Sequence, residues 1–311
     1  MSRKLLSIVT PCFNEEGNVE ELHRQIAEVL EKFPQYDWEH IYIDNASRDG
    51  TQQILRRIAA ADPRVKAIFN TRNFGQVRSP WHAMLQAHGD AAITMASDLQ
   101  DPPSLIPQFI EKWEAGYKIA LGQKTSSEES PIFYAIRSAY YRLVRKLADI
   151  ELTEHVTGFG IYDRAVIEEF RKIDDPYPYS RGLIAELGYE AARIHYLQPN
   201  RKSGITKNNF YTLYDMAMLG ITNHSKIPLR LATLLGFFLA LLSLMVAIGY
   251  FIYKLIFWDR FPVGQAPVVI GLFLFSSVQL FFTGVLGEYI AAIHTQVLHR
   301  PLVVEKERIN F

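Results

Sequence analysis

Cysteine is almost missing from this chain: Cys12 stands alone in 311 residues. A disulfide framework and any multi-cysteine metal site are thereby excluded, and a reducing, cytosol-facing location is the simpler expectation. Net charge is missing too, because 33 Lys and Arg balance 33 Asp and Glu. Without a broad basic field to neutralise phosphates, no nucleic-acid partner is expected, and any anionic ligand must be met by local basic groups. His82, His88, His155 and His195 show no H-x-x-H or H-E-x-x-H spacing, so they read as surface or core residues rather than zinc ligands. The N-terminal apolar run is too short for a signal peptide and soon reaches charged residues, so the chain is expected to start on the side where it is made. Internal repeats and low-complexity tracts are absent as well.

What the chain does have is unevenly placed apolar sequence. Residues 231–253 (LATLLGFFLALLSLMVAIGYFIY) and 267–289 (PVVIGLFLFSSVQLFFTGVLGEY) carry almost no charge. Each is near the ~20 residues that a helix needs to cross a bilayer. The alternative, a pair of buried helices in a soluble core, fits poorly because globular helices normally keep a polar face. Trp258, Pro262 and Gly264 between the stretches suit an interfacial turn. Two spans return the chain to its starting side, and Lys226, Arg230, Arg300, Lys306 and Arg308 make that side the cytoplasm, with Lys254 and Arg260 as dissenting charges. Ser243, Gly249 and Gly284 offer close-approach points for a possible homo-oligomer. Just ahead of the first span, the spacing of Phe210, Leu213, Tyr214, Ala217 and Leu219 predicts an amphipathic juxtamembrane helix over 208–228, or else a connector packed on the domain.

The first 120 residues alternate short apolar runs (LLSIVTP, HIYIDN, VKAIFN, AAITMAS, KIALGQ) with helical patterns beginning near Glu16, Asp49, Gln76 and Pro103. That alternation predicts an open α/β architecture, a mainly parallel sheet with helices on both faces, whose ligands bind at the carboxyl ends of the strands. Polar clusters fall at those ends: residues 11–16, 44–50 and 98–101. In DLQDPP, Asp98 and Gln100 offer the oxygen ligands that Mg²⁺ or Mn²⁺ takes when a diphosphate completes the shell. Asp101 is open between a helix cap, a further ligand and a base. Asp44 and Asn45 are candidates to hydrogen-bond a base or ribose, while Ser47, Asp49 and Gly50 read as turn and cap residues. Glu288 either serves function within the second span or marks its end, and the Tyr-rich loop around 177–181 is a candidate cover over a ligand.

Taken in order, SIVTPCFNEEGN, DNASRDGT, TRNFGQ, DLQDPP, the RGL at Arg181 and the tail GEYIAAIHTQVLHRP resemble family 2 glycosyltransferases, in particular the polyprenyl-phosphate branch that includes dolichol-phosphate mannose synthase and the bactoprenol glucosyltransferases. The resemblance covers nearly the whole chain; its individual motifs are weak and their ordered set is strong. It implies a cytoplasmic GT-A domain over 1–207, the juxtamembrane helix over 208–228, two transmembrane helices within 229–294 and a cytoplasmic tail over 295–311. It further implies that Pro11, Glu15, Asp44 and Asn45 line a nucleoside pocket, that Asp98 and Gln100 hold the metal, and that Lys124 and Arg137 face phosphates. By the same resemblance Arg201 and Lys207, in RKSGITK, face the acceptor phosphate. Four positions depart from the family pattern: Asn45 and Ala96 replace aspartates, Lys124 replaces an arginine, and TGFG at 157–160 replaces GDFR. Ala96 removes a potential metal ligand.

The expected reaction is inverting transfer of a sugar, UDP-glucose being favoured as donor, to a polyprenyl phosphate. Other donors (mannose, N-acetylhexosamine, aminoarabinose), a processive polysaccharide synthase, which the missing Q-x-x-R-W element and only two spans oppose, and an inactive homologue serving as a membrane scaffold are the competing readings.

Overall fold

The computed structural model describes residues 3–125, 156–199, 227–257 and 265–311, together with Met218, Thr222 and Ser225. Strand β1 (Lys4–Cys12) leads to helix α1 (Val19–Leu30), then β2 (Tyr36–Asp44), α2 (Thr51–Ala61), β3 (Val65–Asn70), α3 (Gly75–Leu85) and β4 (Ala91–Thr94). A 3₁₀ turn at Pro103–Leu105 opens α4 (Ile106–Glu114), followed by β5 (Ile119–Lys124). After residues 126–155 come β6 (Val156–Asp163), α5 (Arg164–Lys172), α6 (Ser180–Glu186) and β7 (Ala191–Tyr196). Two long helices, α7 (Ile227–Ile256) and α8 (Gln265–Val297), precede a last strand, β8 (Glu305–Ile309).

One sheet of eight strands runs in the order β7-β5-β6-β4-β1-β2-β3-β8. Pairs β1/β2, β2/β3, β1/β4 and β5/β7 are parallel, whereas β6 runs antiparallel to β4 and β5, and β8 antiparallel to β3. Period-two alternation sends Leu6 and Ile8 to one face, where Leu22 and Ile26 of α1 and Phe109 and Trp113 of α4 cover them. Val9, Ile41 and Ile43 point to the other face, against Trp81 and Met84 of α3 and Val166 and Phe170 of α5. With both faces buried, the central strands need near-continuous apolar sequence, which is why their runs were readable.

Helix α1 starts at Val19 rather than near Glu16, because residues 15–18 form a turn in which the Glu15 carbonyl accepts from the Asn18 and Val19 amides. Helix α3 begins at Gly75, whose φ of +88° is a conformation that glycine adopts without strain. At Gly160, a Cβ would lie 2.3 Å from the Ala120 carbonyl, so the close β5/β6 pairing requires glycine there.

Helices α7 and α8 are long and apolar enough to cross a membrane. The buried-core alternative does not fit what is seen: among the described residues none of the apolar window Ile227–Val246 is buried and only 6% of Leu274–Val297 is. Phe237 and Leu280 are 71% and 70% exposed, and an apolar surface of this extent calls for an apolar environment or partner. The base of the hairpin is tied together and then to the sheet domain. Tyr289 Oη donates to the Ser225 carbonyl at 2.6 Å, and Gln296 Nε2 donates to Asp175 Oδ1 at 2.8 Å.

Residues 295–311, read above as a tail, hold β8. Arg56 grips the Glu307 carboxylate with both terminal nitrogens at 2.5 and 2.8 Å, and Asn310 Nδ2 donates to the carbonyls of Ala59 and Val65 at 2.7 and 2.8 Å. The strand therefore closes the sheet edge at β3. His82 Nε2 lies 2.5 Å from Glu305 Oε1 across the same contact.

Candidate active site

A cleft of about 760 Å³ opens over the carboxyl ends of β1, β2 and β4. Pro11, Glu15, Asn45, Asp98, Gln100, Asp101 and Lys124 all line it, as do Tyr177, Tyr179 and Arg181 from the α5–α6 loop and the start of α6. The sheet thus brings together most of the residues that the sequence singled out. Arg137, Arg201 and Lys207 lie outside the described residues, as does most of the juxtamembrane segment.

The loops after β1 and β2 are laced together. The Asn14 amide donates to Ser47 Oγ and the Arg48 amide to Asn14 Oδ1, both at 2.8 Å. The Glu15 amide donates to Thr51 Oγ1 at 2.8 Å, and the Gly50 amide to Glu16 Oε2 at 2.6 Å. Asp49 accepts from the Thr51 amide and hydroxyl at 3.1 and 2.5 Å, which makes it the turn residue that was expected, and these bonds hold its carboxyl below the usual range against an opposing push from burial. Asn14, Ala46 and Leu99 have φ of 56°, 61° and 60°. Left-handed backbone is uncommon for non-glycine residues and persists where surrounding structure enforces it; these three sit one in each loop of the cleft floor.

Asn45 explains why an amide stands where the family usually has an aspartate. Its Oδ1 accepts from the Phe74 amide at 2.8 Å and from Asn70 Nδ2 at 3.2 Å, and its Nδ2 donates to Asn73 Oδ1 at 2.8 Å and the Gly75 carbonyl at 3.1 Å. A carboxylate supplies no such donor. The side chain pins the TRNFG loop, a structural role invisible in sequence because its partners are 25 to 30 residues away.

Asp44 is fully buried beneath the cleft, at 0% exposure. Its Oδ2 accepts from the Ser47 amide at 3.0 Å and Gln52 Nε2 at 2.6 Å, while Oδ1 has no partner among the described residues. Burial raises its pKa, and the Ser47 and Gln52 bonds act in the opposite direction.

In the loop after β4, Asp98 Oδ1 accepts from the Gln100 amide at 3.2 Å around the left-handed Leu99. Gln100 Nε2 reaches the Pro199 carbonyl at 3.4 Å. Asp101 does not cap the following helix, whose first turn has no side-chain cap. It turns inward instead: Oδ2 accepts from the Ala96 amide at 2.9 Å, and Oδ1 from Tyr196 Oη at 3.2 Å. Burial lifts its pKa to about 6 despite these bonds and the nearby Lys124 ammonium. Lys124 Nζ itself donates to Gln198 Oε1 at 2.8 Å. Tyr196 and Gln198 were missed by sequence reasoning, which had no local motif to mark them.

No group of three His, Cys, Asp or Glu side chains among the described residues could hold a cation by itself. Asp98 and Gln100 offer oxygen only, which suits Mg²⁺ or Mn²⁺ with a diphosphate and disfavours metals that seek sulfur or imidazole.

A mixed sheet in this order, with acidic and amide residues in the loops at one end and a cleft spanning them, is the GT-A-like arrangement, and the class it defines is the glycosyltransferases. Residues 7–171 match glycosyl transferase family 2, and the chain belongs to that family. It is 32% identical to the bactoprenol glucosyl transferase of Shigella phage SfV, over 97% of this chain and 98% of that one. It is likewise 32% identical to the uncharacterized glycosyltransferase YkcC of Bacillus subtilis (strain 168), over 98% and 94%. Among solved structures, a mycobacterial protein shares the fold with a TM-score of 0.50 at 15% identity, over 70% of this chain and 73% of that one.

Proposed function

We propose that this enzyme transfers a hexosyl group, glucose from UDP-glucose being the favoured case, to a polyprenyl phosphate at the cytoplasmic face of a membrane, for modification of a cell-surface glycan such as O-antigen. The observation that carries the reading is the attachment of the apolar hairpin to the wall of the cleft. Gln296, at the end of α8, holds Asp175, two residues before Tyr177 in the cleft lining. A helix pair embedded in lipid then keeps the cleft at the headgroup plane, where a long-chain lipid presents its phosphate. Both termini of the chain face the cytoplasm in this arrangement. The names of the full-length relatives support the same acceptor and sugar.

In the reaction, an oxygen of the lipid phosphate attacks the anomeric carbon and forms the new C–O bond. The bond to the nucleoside diphosphate breaks, and that leaving group departs with the electron pair. Attack from the opposite face inverts the anomeric configuration. A phosphate monoester with a second pKa of ~6 is largely dianionic at neutral pH, so no strong base is required. Asp98 and Gln100 would hold Mg²⁺ or Mn²⁺, which supplies charge neutralisation for the leaving diphosphate. Lys124, at the cleft edge, and Arg137 add positive charge on the donor side. Glu15, Asn45 and the Pro11 backbone shape the nucleoside side, and Asp44, buried beneath the cleft, holds the loop after β2 through Ser47 and Gln52. Arg201 and Lys207 are assigned to the acceptor phosphate.

The test is a donor screen with purified protein in detergent and polyprenyl phosphate, reading lipid-linked sugar by mass and nucleotide diphosphate release in parallel. A lipid carrying one added hexose is expected with UDP-glucose. Absence of product with every nucleotide-sugar overturns the transferase reading in favour of an inactive membrane partner.

A further inference from the structure

Arg72, Arg78 and Arg300 form a cluster of positive charge that the transfer reaction does not use. The Arg72 guanidinium carbon lies 4.0 Å from the centre of the Phe74 ring, and that of Arg78 lies 5.7 Å from the same ring. Arg78 Nη2 donates to the Pro301 carbonyl, which brings Arg300, next in sequence, up to α3. Burial lowers the pKa of Arg78, as do the charges of Arg72 and Arg300, with Tyr177 acting in the opposite direction. Among the described residues none of the three forms an ion pair with a carboxylate, whereas Arg56 and Arg308 each have one. Arg78 Nε, moreover, is a buried donor without a hydrogen-bond partner. Like charges held together with an unsatisfied donor between them are the features of an anion site.

The cluster's position identifies the source of the anion. Helix α8 ends at Val297, so Arg300 lies three residues beyond the apolar window Leu274–Val297. On the proposed membrane reading, on which this inference rests, that is the depth of the lipid phosphates, where basic side chains bind headgroups. The same cluster borders the cleft, since Gly75, Gln76, Val77 and Ser79, on either side of Arg78, line it.

We propose that Arg72, Arg78 and Arg300 bind a lipid-borne phosphate where α8 leaves the bilayer, beside the mouth of the active-site cleft. Such a site fixes the depth and tilt of the catalytic domain on the membrane.

Full-length protein in phosphatidylcholine nanodiscs doped with either phosphatidylglycerol or polyprenyl phosphate tests this, with retained lipid counted by native mass spectrometry. A third arm offers inorganic phosphate to protein in phosphate-free detergent. Wild-type protein is expected to retain the doped lipid in preference to phosphatidylcholine, and Arg78→Gln to weaken retention at least tenfold. Because Arg78 also holds Pro301, the exposed Arg72→Gln and Arg300→Gln variants are measured too, each expected to lose retention severalfold at an unchanged melting temperature. Retention of phosphatidylglycerol identifies bulk anionic lipid, and retention of polyprenyl phosphate alone identifies the acceptor; both outcomes support the site. Equal retention by wild type and variants, or capture of inorganic phosphate with no lipid enriched, overturns it. The phosphatidylglycerol arm requires no sugar transfer, so failure of this site and failure of the proposed activity are read separately.

Discussion

Asp101 Oδ2 accepts a hydrogen bond from the Ala96 backbone amide at 2.9 Å, so the last acid of the DLQD run closes its loop on the one position where the family's aspartate is replaced by alanine. The carboxyl is buried, and its pKa stands at about 6 against an ordinary 3.8. A raised carboxyl pKa means that the neutral form is favoured by folding. The associated stability is fully present below about 3.8 and is lost as pH rises through about 6. Asp101→Asn, which cannot ionise, should therefore gain relative to wild type as pH goes from 4 to 7.5, by at most ~3 kcal/mol for a shift of about two units. Melting curves across that range check it; parallel pH dependence of the two proteins would contradict the assignment.

Asn45→Asp restores the residue usual in the family and should nevertheless harm this protein. It deletes the donor to Asn73 and Gly75 and sets a carboxylate against the Asn73 carbonyl oxygen and the Gly75 carbonyl. Leaving such groups unsatisfied in a buried setting costs ~1–3 kcal/mol. A lower melting temperature together with weaker nucleotide binding is expected, because the pinned 73–75 loop lines the cleft. A variant as stable and as active as wild type would show that the amide network is dispensable.

The C-terminal strand changes what truncation should do. A chain ending at Ser225 loses the hairpin and also β8, which exposes the β3 edge, where Ala67, Ile68 and Phe69 pair with Ile309, Arg308 and Glu307. Unpaired edges of this kind invite aggregation. The truncated domain should come out mostly insoluble, and Asn310→Ala in the full chain should cost ~1–2 kcal/mol for the two carbonyls it leaves unbonded. A well-behaved monomer of residues 1–225 in size-exclusion chromatography would sink this role for β8.

Why β8 was illegible is plain from its sequence: EKERI is almost entirely charged, since an edge strand at the surface needs no apolar face. Strand β2 was read from His40, four residues late, because YDWE looks polar; Glu39 is buried there with the Ser7 hydroxyl at 2.5 Å, the Lys66 ammonium at 2.7 Å and the His88 amide at 3.3 Å as partners. Strands β1, β3 and β5, in contrast, were legible because burial on two faces forces continuous apolar runs. Within the site, residues marked by a local motif were found, Asp98, Gln100 and Glu15 among them. Those defined by distant partners were not: Tyr196 meets Asp101 from 95 positions away, and the amide network of Asn45 closes over 25 to 30 positions.

In the middle of β2, His40 is 0% exposed, with Nε2 3.0 Å from Thr10 Oγ1 and Nδ1 3.4 Å from His23 Nδ1. Burial lowers its pKa well below the ordinary 6.5, and His23 adds to the effect. A depressed histidine pKa favours the neutral form in the folded state, so stability is retained above about 6.5 and lost progressively as pH falls below it. Wild-type melting temperature should fall between pH 6.5 and 5, and His40→Gln should flatten that decline while starting from a lower value. An unchanged slope in the variant would place the acid lability elsewhere.

Catalysis should require a divalent cation held chiefly by Asp98, with Gln100 as the weaker ligand. Ala96 offers no carboxylate, and Asp101 has turned to the Ala96 amide and Tyr196 hydroxyl, so the DLQD loop leaves Asp98 as its one acid in the ligand position. Asp98→Asn should accordingly remove nearly all metal-dependent turnover. Gln100→Ala deletes a neutral oxygen that water can replace, because Mg²⁺ keeps waters readily, and its loss should be smaller. Asp101→Asn should retain metal affinity and change the pH profile of stability instead, which separates a loop-closing carboxyl from a ligand. Leu99, at φ 60° between the two proposed ligands, fixes their relative direction. Leu99→Gly relaxes that constraint and should weaken metal binding while leaving both ligands in the chain. Turnover against Mg²⁺ and Mn²⁺ concentration for the four variants, with melts alongside, checks the set. Wild-type turnover in excess chelator, or an Asp98→Asn enzyme with unaltered metal dependence, would remove the cation from the mechanism and leave charge neutralisation to Lys124 and the arginines.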